Sequence, residues 1–177
     1  MKNIIIATCL LLFSGCAATR SVEPEYAPIK TMSERPWYAS FLGGENTITT
    51  IGDTVYVGDL DEWMEKRPAG SPRYDSIMSH EMVHSYRQQK EGTTGWLARY
   101  LRDKSFRWEE EQLGWYVQIR MYRRYGLRPN PEGIAKTLAG YSPSMVSYEE
   151  ALQWVRDVLS GRWKPADGEL PPGLQVP

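Results

Sequence analysis

Both histidines of this 177-residue chain fall within five consecutive residues, His80-Glu81-Met82-Val83-His84. Positions four residues apart lie on one face of an α-helix, with Cβ atoms about 5–6 Å apart. One metal ion can then be reached by both imidazoles at about 2.0–2.1 Å. The spacing therefore predicts a helix that presents two metal ligands on one face.

The flanking sequence also favours a helix. Ser71-Pro72 is a typical start, because serine caps a first turn and proline fits the first helical position. No glycine or proline then interrupts the chain before Gly92. On this helix Glu81 projects about 100° from His80 and about 60° from His84, given 3.6 residues per turn. Glu81 would flank the metal without binding it, and we expect it to act as a general base.

Two histidines do not complete a catalytic zinc site, which usually has three protein ligands and one open position. The chain has no third histidine, so the remaining ligand must be a carboxylate. The obvious source is the acidic run Glu109-Glu110-Glu111, at the start of a predicted helix that continues to about Tyr125. Asp103 is a more distant alternative.

Helical geometry alone does not choose among the three glutamates. Glu109 and Glu110 each share a helix face with Leu113 and with one further apolar residue, so either face could turn inward. Glu111 points towards Trp115 and Gln118, which makes it the weaker candidate on this argument.

A family resemblance covers roughly residues 45–125. The stretch from His80 to Gln88, followed by Trp108 to Glu111, resembles the small gluzincin-type zinc metallopeptidases, which belong to the HExxH zincins. In that family the third ligand is commonly the first glutamate of an E-x-x-A-D motif, which corresponds here to Glu109; Gln112-Leu113 stands where the family has Ala-Asp. The resemblance implies a zinc-dependent endopeptidase that acts on a protein or peptide.

The implied site has His80, His84 and Glu109 as zinc ligands and Glu81 as the catalytic base. Some zincins also stabilise the oxyanion with a tyrosine, histidine or arginine. Tyr86 and Arg87 are candidates by position.

The first residues have the composition of a signal peptide. Lys2 precedes an apolar run from Ile4 to Phe13, which is too short to span a membrane. The run ends in Ser14-Gly15-Cys16, which resembles the lipobox of bacterial lipoproteins. In that family the cysteine is acylated and becomes the new N-terminus. The alternative is an ordinary signal peptide cleaved near Ala17-Ala18.

Cysteine usage favours the lipoprotein interpretation. The only other cysteine, Cys9, lies inside the apolar run, so the chain after cleavage holds no pair for a disulfide. Because Cys16 has no disulfide partner, acylation is the role that we expect for it. We therefore expect a signal peptide at residues 1–15, a lipid anchor on Cys16, and a location in the bacterial cell envelope, on the outer membrane facing the periplasm.

Proline content suggests the domain boundaries. Residues 16–36 are polar and contain three prolines, which predicts an extended tether. Residues 163–177 contain four prolines and predict a Pro-rich C-terminal tail. One zincin-like metallopeptidase domain is expected between them, at residues 37–162, and we expect it to be monomeric.

The fold class follows from one strand pair and several helices. Residues 47–51 and 54–57 are rich in β-branched residues and flank Gly52-Asp53, which predicts a β-hairpin. Helices are expected near residues 59–66, 96–101, 131 onward and 148–159. We expect an α+β, mostly helical, minimal zincin-like domain with the small sheet packed on the HExxH helix. The edge of that sheet could bind an extended peptide.

The charge balance argues against one class of partner. The formal net charge is −1, which is not the basic footprint of a nucleic-acid-binding protein. The remaining alternative to an enzyme is a non-catalytic envelope lipoprotein, in which the metal helix is a structural or decayed site.

Overall fold

A computed structural model describes residues 26–39, 47–141 and 144–174. Within these ranges the chain forms three short strands and six α-helices. They are β1 (Ile29–Thr31), β2 (Thr49–Ile51), β3 (Thr54–Val57), α1 (Leu60–Lys66), α2 (Pro72–Glu91), α3 (Thr93–Arg102), α4 (Lys104–Arg124), α5 (Pro131–Ala139) and α6 (Tyr148–Ser160). The prediction of an α+β, mostly helical fold is confirmed.

The three strands form one mixed sheet in the order β1-β3-β2. β2 and β3 are the arms of the predicted hairpin and pair antiparallel, with Thr50 opposite Val55. Gly52 in the turn has a φ of 62°, a conformation that glycine adopts without a steric cost. β1 pairs parallel to β3 on its other side. Every residue of β3 is buried, because it has a strand on each side and helices over both faces.

The two faces of the sheet belong to different apolar clusters. On one face Ile51 and Tyr56 join a cluster with Trp96 of α3 and Phe106 of α4. On the other face Val55 and Val57 join Trp63 of α1 and Met78 of α2. The sheet is therefore fixed directly beside the helix that carries both histidines.

α2 and α4 are the two long helices at the centre of the fold, and they pack against each other. α2 begins as predicted: the Ser71 side chain accepts a hydrogen bond from the backbone N–H of Tyr74, and Pro72 is the first helical residue. It ends at Gly92, whose φ is 86°. α4 begins four residues before the predicted start at Trp108, because the Asp103 side chain accepts hydrogen bonds from two backbone N–H groups of its first turn.

The largest apolar cluster fills the space among α4, α5, α6 and the residues after α6. Its buried members include Leu113, Val117, Ile134, Leu138, Val155, Val158, Leu170 and Leu174. Burying one such side chain contributes about 1.5–3 kcal/mol to folding. One face of α4 packs in this cluster, and another face of α4 meets α2 beside the two histidines.

The folded part of the chain extends past both predicted domain boundaries. Ile29–Thr31, expected in the tether, forms β1, and the backbone N–H of Val55 donates a 2.9 Å hydrogen bond to the carbonyl of Pro28. Trp163, Leu170 and Leu174, expected in the tail, pack on the large cluster. Prolines restrict regular structure there, but they do not prevent the apolar residues between them from being buried.

The predicted signal peptide and Cys16 lie outside the described residues. In the part of the chain that the structure describes, none of the helices combines the length and the apolar character needed to span a bilayer.

Candidate metal centre

α2 places both histidines on one buried face. The side chains of His80 and His84 are almost fully buried, and their Nε2 atoms lie 3.0 Å apart. Both nitrogens therefore point to the same small volume, as the four-residue spacing predicts.

α4 brings a carboxylate to the same volume. The two oxygens of Glu111 lie 3.5 Å from His80 Nε2 and 3.5 Å from His84 Nε2. One ligand atom from each residue lies within 4.8 Å of the others, and all three residues are buried. The group, called the His–Glu cluster below, could hold a metal ion.

The spacing of the donor atoms fits a metal ion. Two ligands at about 2.05 Å from a tetrahedral ion are about 3.3 Å apart. The separations of 3.0 and 3.5 Å in the cluster bracket that value. Two neutral imidazoles and one carboxylate are also a donor set that binds zinc.

The structure does not bring Glu109, the predicted third ligand, to the two histidines: its side chain is exposed and lies outside the cluster, and Glu111 takes that place. The face of α4 that meets α2 carries Glu111, Gly114 and Gln118, spaced three and four residues apart. The face with Leu113 instead packs in the large apolar cluster.

Glu110 has a different, structural partner. It is fully buried, and its Oε1 accepts hydrogen bonds of 2.9 and 2.7 Å from Nε and Nη2 of Arg87. Arg87 also contacts Glu91 at 3.1 Å. This guanidinium, a candidate by position for oxyanion stabilisation, therefore joins α2 to α4. The distant alternative, Asp103, is exposed and caps α4.

Two side chains orient the ligands from outside the cluster. Gln118 Oε1 lies 3.0 Å from His80 Nδ1, which places the ring proton on Nδ1 and leaves the lone pair of Nε2 facing the cluster. The hydroxyl of Tyr100 donates a 2.6 Å hydrogen bond to Glu111 Oε1. Such contacts fix the direction of metal ligands.

Gly114 allows the two helices to approach at this point. A Cβ at residue 114 would lie 2.6 Å from Cδ2 and Nε2 of His80, closer than real Cβ atoms come. Only glycine therefore fits against this ring without a shift of the ring or of α4. A lone glycine inside a helical pattern is the sequence signal that could have identified this residue.

Glu81 lies beside the cluster and is held by the sheet. The Thr50 hydroxyl donates a 2.6 Å hydrogen bond to Glu81 Oε2, and Glu81 is almost fully buried. Gln88, further along α2, fixes the same hairpin: it donates to the carbonyl of Thr50 and accepts from the N–H of Gly52, each at 2.8 Å. The hairpin thus positions the predicted general base.

The charges within the cluster stabilise each other. Burial alone would lower the pKa of His80, but the adjacent Glu111 carboxylate raises it overall. Burial would raise the pKa of Glu111, yet the two histidines and Tyr100 hold it at about 2. Glu111 is therefore ionised at neutral pH, and a buried carboxylate of this kind requires a positive partner.

Aromatic side chains surround the cluster. The ring of Trp115 meets His80 edge-on with centroids 5.7 Å apart, and Trp96 lies 5.7 Å from His84. Trp115 Nε1 donates a 3.2 Å hydrogen bond to the hydroxyl of Tyr141. Burial and the carboxylates of Glu111 and Glu81 raise the pKa of Tyr141 well above its usual value, so this phenol keeps its proton.

Sequence reasoning missed several of these residues. Tyr100 and Trp115 belong to an aromatic-rich segment whose helical spacing indicates packing, and nothing in that pattern distinguishes a residue that contacts a ligand. Thr50 and Tyr141 are distant from the motif in sequence. Only the three-dimensional contacts place them here.

No protein-family model, curated protein or solved structure matches this chain.

Proposed function

We propose that this protein is a zinc-dependent metallopeptidase of the gluzincin type that cleaves peptide bonds within a protein or peptide. The observation that carries the proposal is the convergence of His80, His84 and Glu111 on one volume, with Glu81 held beside it.

The three residues of the His–Glu cluster would hold the zinc. When bound, zinc acts as a Lewis acid that lowers the pKa of a water molecule and polarises a carbonyl group. Gln118 and Tyr100 contact His80 and Glu111 from outside the cluster and would keep their donor atoms directed at the ion.

Glu81 would move the proton. Thr50 occupies only Oε2 of its carboxylate, so Oε1 can accept a proton from the attacking water. The same carboxylic acid then donates that proton to the leaving amine. Its neighbour His80 would bind the metal through Nε2, so proton transfer and metal binding would fall to different residues of the same helix.

Tyr141 is the candidate for stabilising the oxyanion. Its oxygen accepts from Trp115 Nε1, and its own O–H donates towards the Glu111 carboxylate, at the edge of the volume where the ion would bind. A neutral phenol beside the reacting carbonyl would donate to the oxygen on which negative charge develops.

The test is metal analysis of the purified protein together with digestion of a broad peptide library. We expect about one zinc per chain, and cleavage that the Glu81→Gln variant loses while it retains zinc. The matched control is Glu109→Gln, the same substitution on an exposed residue, which should keep both zinc and activity. Equal cleavage by the wild type and Glu81→Gln would refute the catalytic proposal. Stoichiometric zinc without any cleavage would favour the non-catalytic lipoprotein.

We also propose that the protein is anchored to the envelope membrane by acylation of Cys16. The support is the run from Ile4 to Phe13 followed by Ser14-Gly15-Cys16. Cys16→Ser should move the protein from the detergent-soluble membrane fraction to the aqueous fraction. Unchanged membrane fractionation of this variant would argue against the lipid anchor.

A further inference from the structure

A groove with a volume of about 420 Å³ opens between the C-terminal half of α4, the connection that follows it and the first turns of α5. The residues that give it its character are Trp115, Tyr122, Leu127, Arg128, Ile134 and Thr137. We call it the α4–α5 groove. No member of the His–Glu cluster lines it, so it is separate from the volume in which the metal would bind.

The groove lies behind His80. Tyr122 lines the groove and accepts a 3.3 Å hydrogen bond from Gln118 Nε2, while Gln118 Oε1 lies 3.0 Å from His80 Nδ1. Trp115 also lines the groove, and its ring meets His80 edge-on with centroids 5.7 Å apart. Gln118 holds Nδ1 of this ring, whereas Nε2 faces the cluster. A molecule in the groove would therefore contact the side chains that hold a metal ligand in place, and not the metal itself.

The walls of the groove favour an apolar body in the ligand. The rings of Trp115 and Tyr122 are half-buried, and Leu127 is 46% exposed although it is a large apolar residue. Exposed apolar surface in a concave site is typical of a binding surface, and small-molecule sites measure about 300–1,000 Å³. The groove therefore has the size and the surface of a site for a small molecule with an aromatic or branched aliphatic body.

Arg128 adds a preference for negative charge. It is the charged residue of the lining, its side chain is exposed, and within the described part of the chain it forms no ion pair. Glu132, in the first turn of α5, pairs instead with Arg156 at 3.5 Å. A guanidinium presents a planar set of donors that matches a carboxylate. Arg128 therefore favours a ligand that brings its own carboxylate to the groove.

We propose that the α4–α5 groove binds a small organic carboxylate with an aromatic or branched aliphatic body, and that its occupancy raises the affinity of the His–Glu cluster for metal. The carboxylate would pair with Arg128, and the body would pack on Trp115 and Tyr122. Packing on these two rings would restrain Gln118 and His80, and this restraint is the physical basis of the coupling. The inference goes beyond the proposed peptidase function, since it applies to any role of the metal centre.

The binding test compares two probes that differ only in charge. N-acetylphenylalanine has a carboxylate, and N-acetylphenylalanine amide has the same body without it. Each is titrated into the zinc-loaded Glu81→Gln protein, which lacks the proposed general base. Binding is followed by the indole N–H resonance of Trp115, which is assigned by its loss in Trp115→Phe. The carboxylate should bind about threefold or more tightly than the amide, the scale of one exposed ion pair, and added salt should reduce the difference.

A third probe tests the body of the ligand. Octanoate carries the same charge on an unbranched chain. It should bind more weakly than N-acetylphenylalanine, because the two rings of the groove present flat faces to an aromatic body. Tighter binding of octanoate would overturn the assignment of the body and indicate a fatty acid instead.

Variants locate the two probes in the groove. Arg128→Gln should remove the preference for the carboxylate, whereas Arg124→Gln, at an exposed arginine of α4 that does not line the groove, should retain it. Thr137 is exposed and lines the groove, so Thr137→Trp would fill part of the volume and should weaken both probes about tenfold or more. Lys136→Trp, on an exposed neighbour outside the lining, should leave both affinities unchanged.

The coupling test measures the affinity for N-acetylphenylalanine with zinc bound and with zinc removed by a chelator. Two linked sites change each other's affinity by the same factor, typically about fivefold or more. The carboxylate should therefore bind about fivefold or more tightly to the zinc-loaded protein. Tyr122→Phe keeps the ring but removes the hydroxyl that accepts from Gln118. This variant should still bind the carboxylate, but with nearly equal affinity in the two metal states.

The outcomes separate this inference from the proposed function. Equal binding of the acid and the amide, or binding that Arg128→Gln and Thr137→Trp leave unchanged, would overturn the site. Equal affinity with and without zinc, or coupling of full size in Tyr122→Phe, would overturn the link to His80. Coupled binding with no cleavage of any peptide by the wild type would support the inference and refute the peptidase. Cleavage with no binding of the carboxylate would overturn the inference and leave the peptidase intact.

Discussion

The hydroxyl of Thr50 donates a 2.6 Å hydrogen bond to Oε2 of Glu81, although the two residues are 31 positions apart. The contact links β2 to α2 and holds the carboxylate in one direction. Gln88 reinforces it by bonding both the carbonyl of Thr50 and the N–H of Gly52. The sheet therefore has a role beyond covering the helix, because it fixes the group that we propose as general base.

Thr50→Val keeps the shape of the side chain and removes the donor. A hydrogen bond to a charged group is worth about 1.5–3 kcal/mol, so we expect kcat to fall about tenfold or more. KM and zinc content should stay nearly constant, because the metal ligands are not altered. Steady-state kinetics on a cleaved peptide provides the measurement.

Thr50→Ser is the control for that experiment, since it retains the hydroxyl and should restore most of kcat. A merely structural role of Thr50 would instead lower the melting temperature without separating the two variants in kcat. Equal kcat for the wild type and Thr50→Val would show that Glu81 is positioned by other contacts.

Gly114→Ala tests the close approach of α4 to His80. The new Cβ would lie 2.6 Å from the ring, so the ring or the helix must shift. We expect the affinity for zinc to fall about tenfold or more, the range found when groups that orient a ligand are disturbed. Competition with a chromophoric chelator measures the change.

Gly95→Ala is the matched control, because it is the same change in a helix and a Cβ added there would meet no other atom within 4 Å. It should leave zinc affinity unchanged and raise the free energy of unfolding by about 0.5–1 kcal/mol through helix propensity. Unchanged zinc affinity in both variants would mean that His80 does not depend on the space at Gly114.

Local signals in the sequence were sufficient to predict most elements of the fold. Ser71-Pro72 starts α2, Gly52-Asp53 joins the two arms of the hairpin, and the helix expected near residues 148–159 is α6. The spacing of His80 and His84 correctly predicted that their rings converge. Each of these inferences uses residues within a few positions of one another, where backbone geometry fixes the outcome.

Contacts between distant segments were not predictable in this way. Glu109, Glu110 and Glu111 are adjacent, and helix geometry gives each a different direction without stating which direction meets α2. Leu113 packs in the large apolar cluster, and this fixes the rotation of α4 about its axis. The face of α4 that carries Glu111 and Gly114 therefore lies against the histidines. Ile29–Thr31 was likewise missed because a three-residue strand is defined by its partner β3 rather than by its own pattern.

Glu111→Gln and Glu109→Gln form a matched pair of variants that tests which glutamate is the third metal ligand. Both remove one negative charge from the same turn of α4, but only Glu111 lies 3.5 Å from the two histidine nitrogens. Loss of an orienting partner costs about 10–100-fold in metal affinity, and loss of a ligand is expected to cost more. We therefore expect Glu111→Gln to lose zinc during dialysis, while Glu109→Gln retains it. The reverse result would restore the assignment made from the family motif.

Zinc should also stabilise the fold, because the His–Glu cluster joins α2 to α4 and exists only in the folded chain. A ligand at 1,000 times its dissociation constant adds about 4 kcal/mol to the free energy of unfolding. For a chain of this size that corresponds to an increase in melting temperature of about 10 °C. Thermal unfolding with added zinc, compared with unfolding in the presence of a chelator, measures this increase.

Magnesium should have little effect, since it prefers oxygen ligands in octahedral geometry to imidazole nitrogens. His84→Ala should lose most of the zinc-dependent increase, and an increase of full size in this variant would mean that zinc stabilises the protein from a different site.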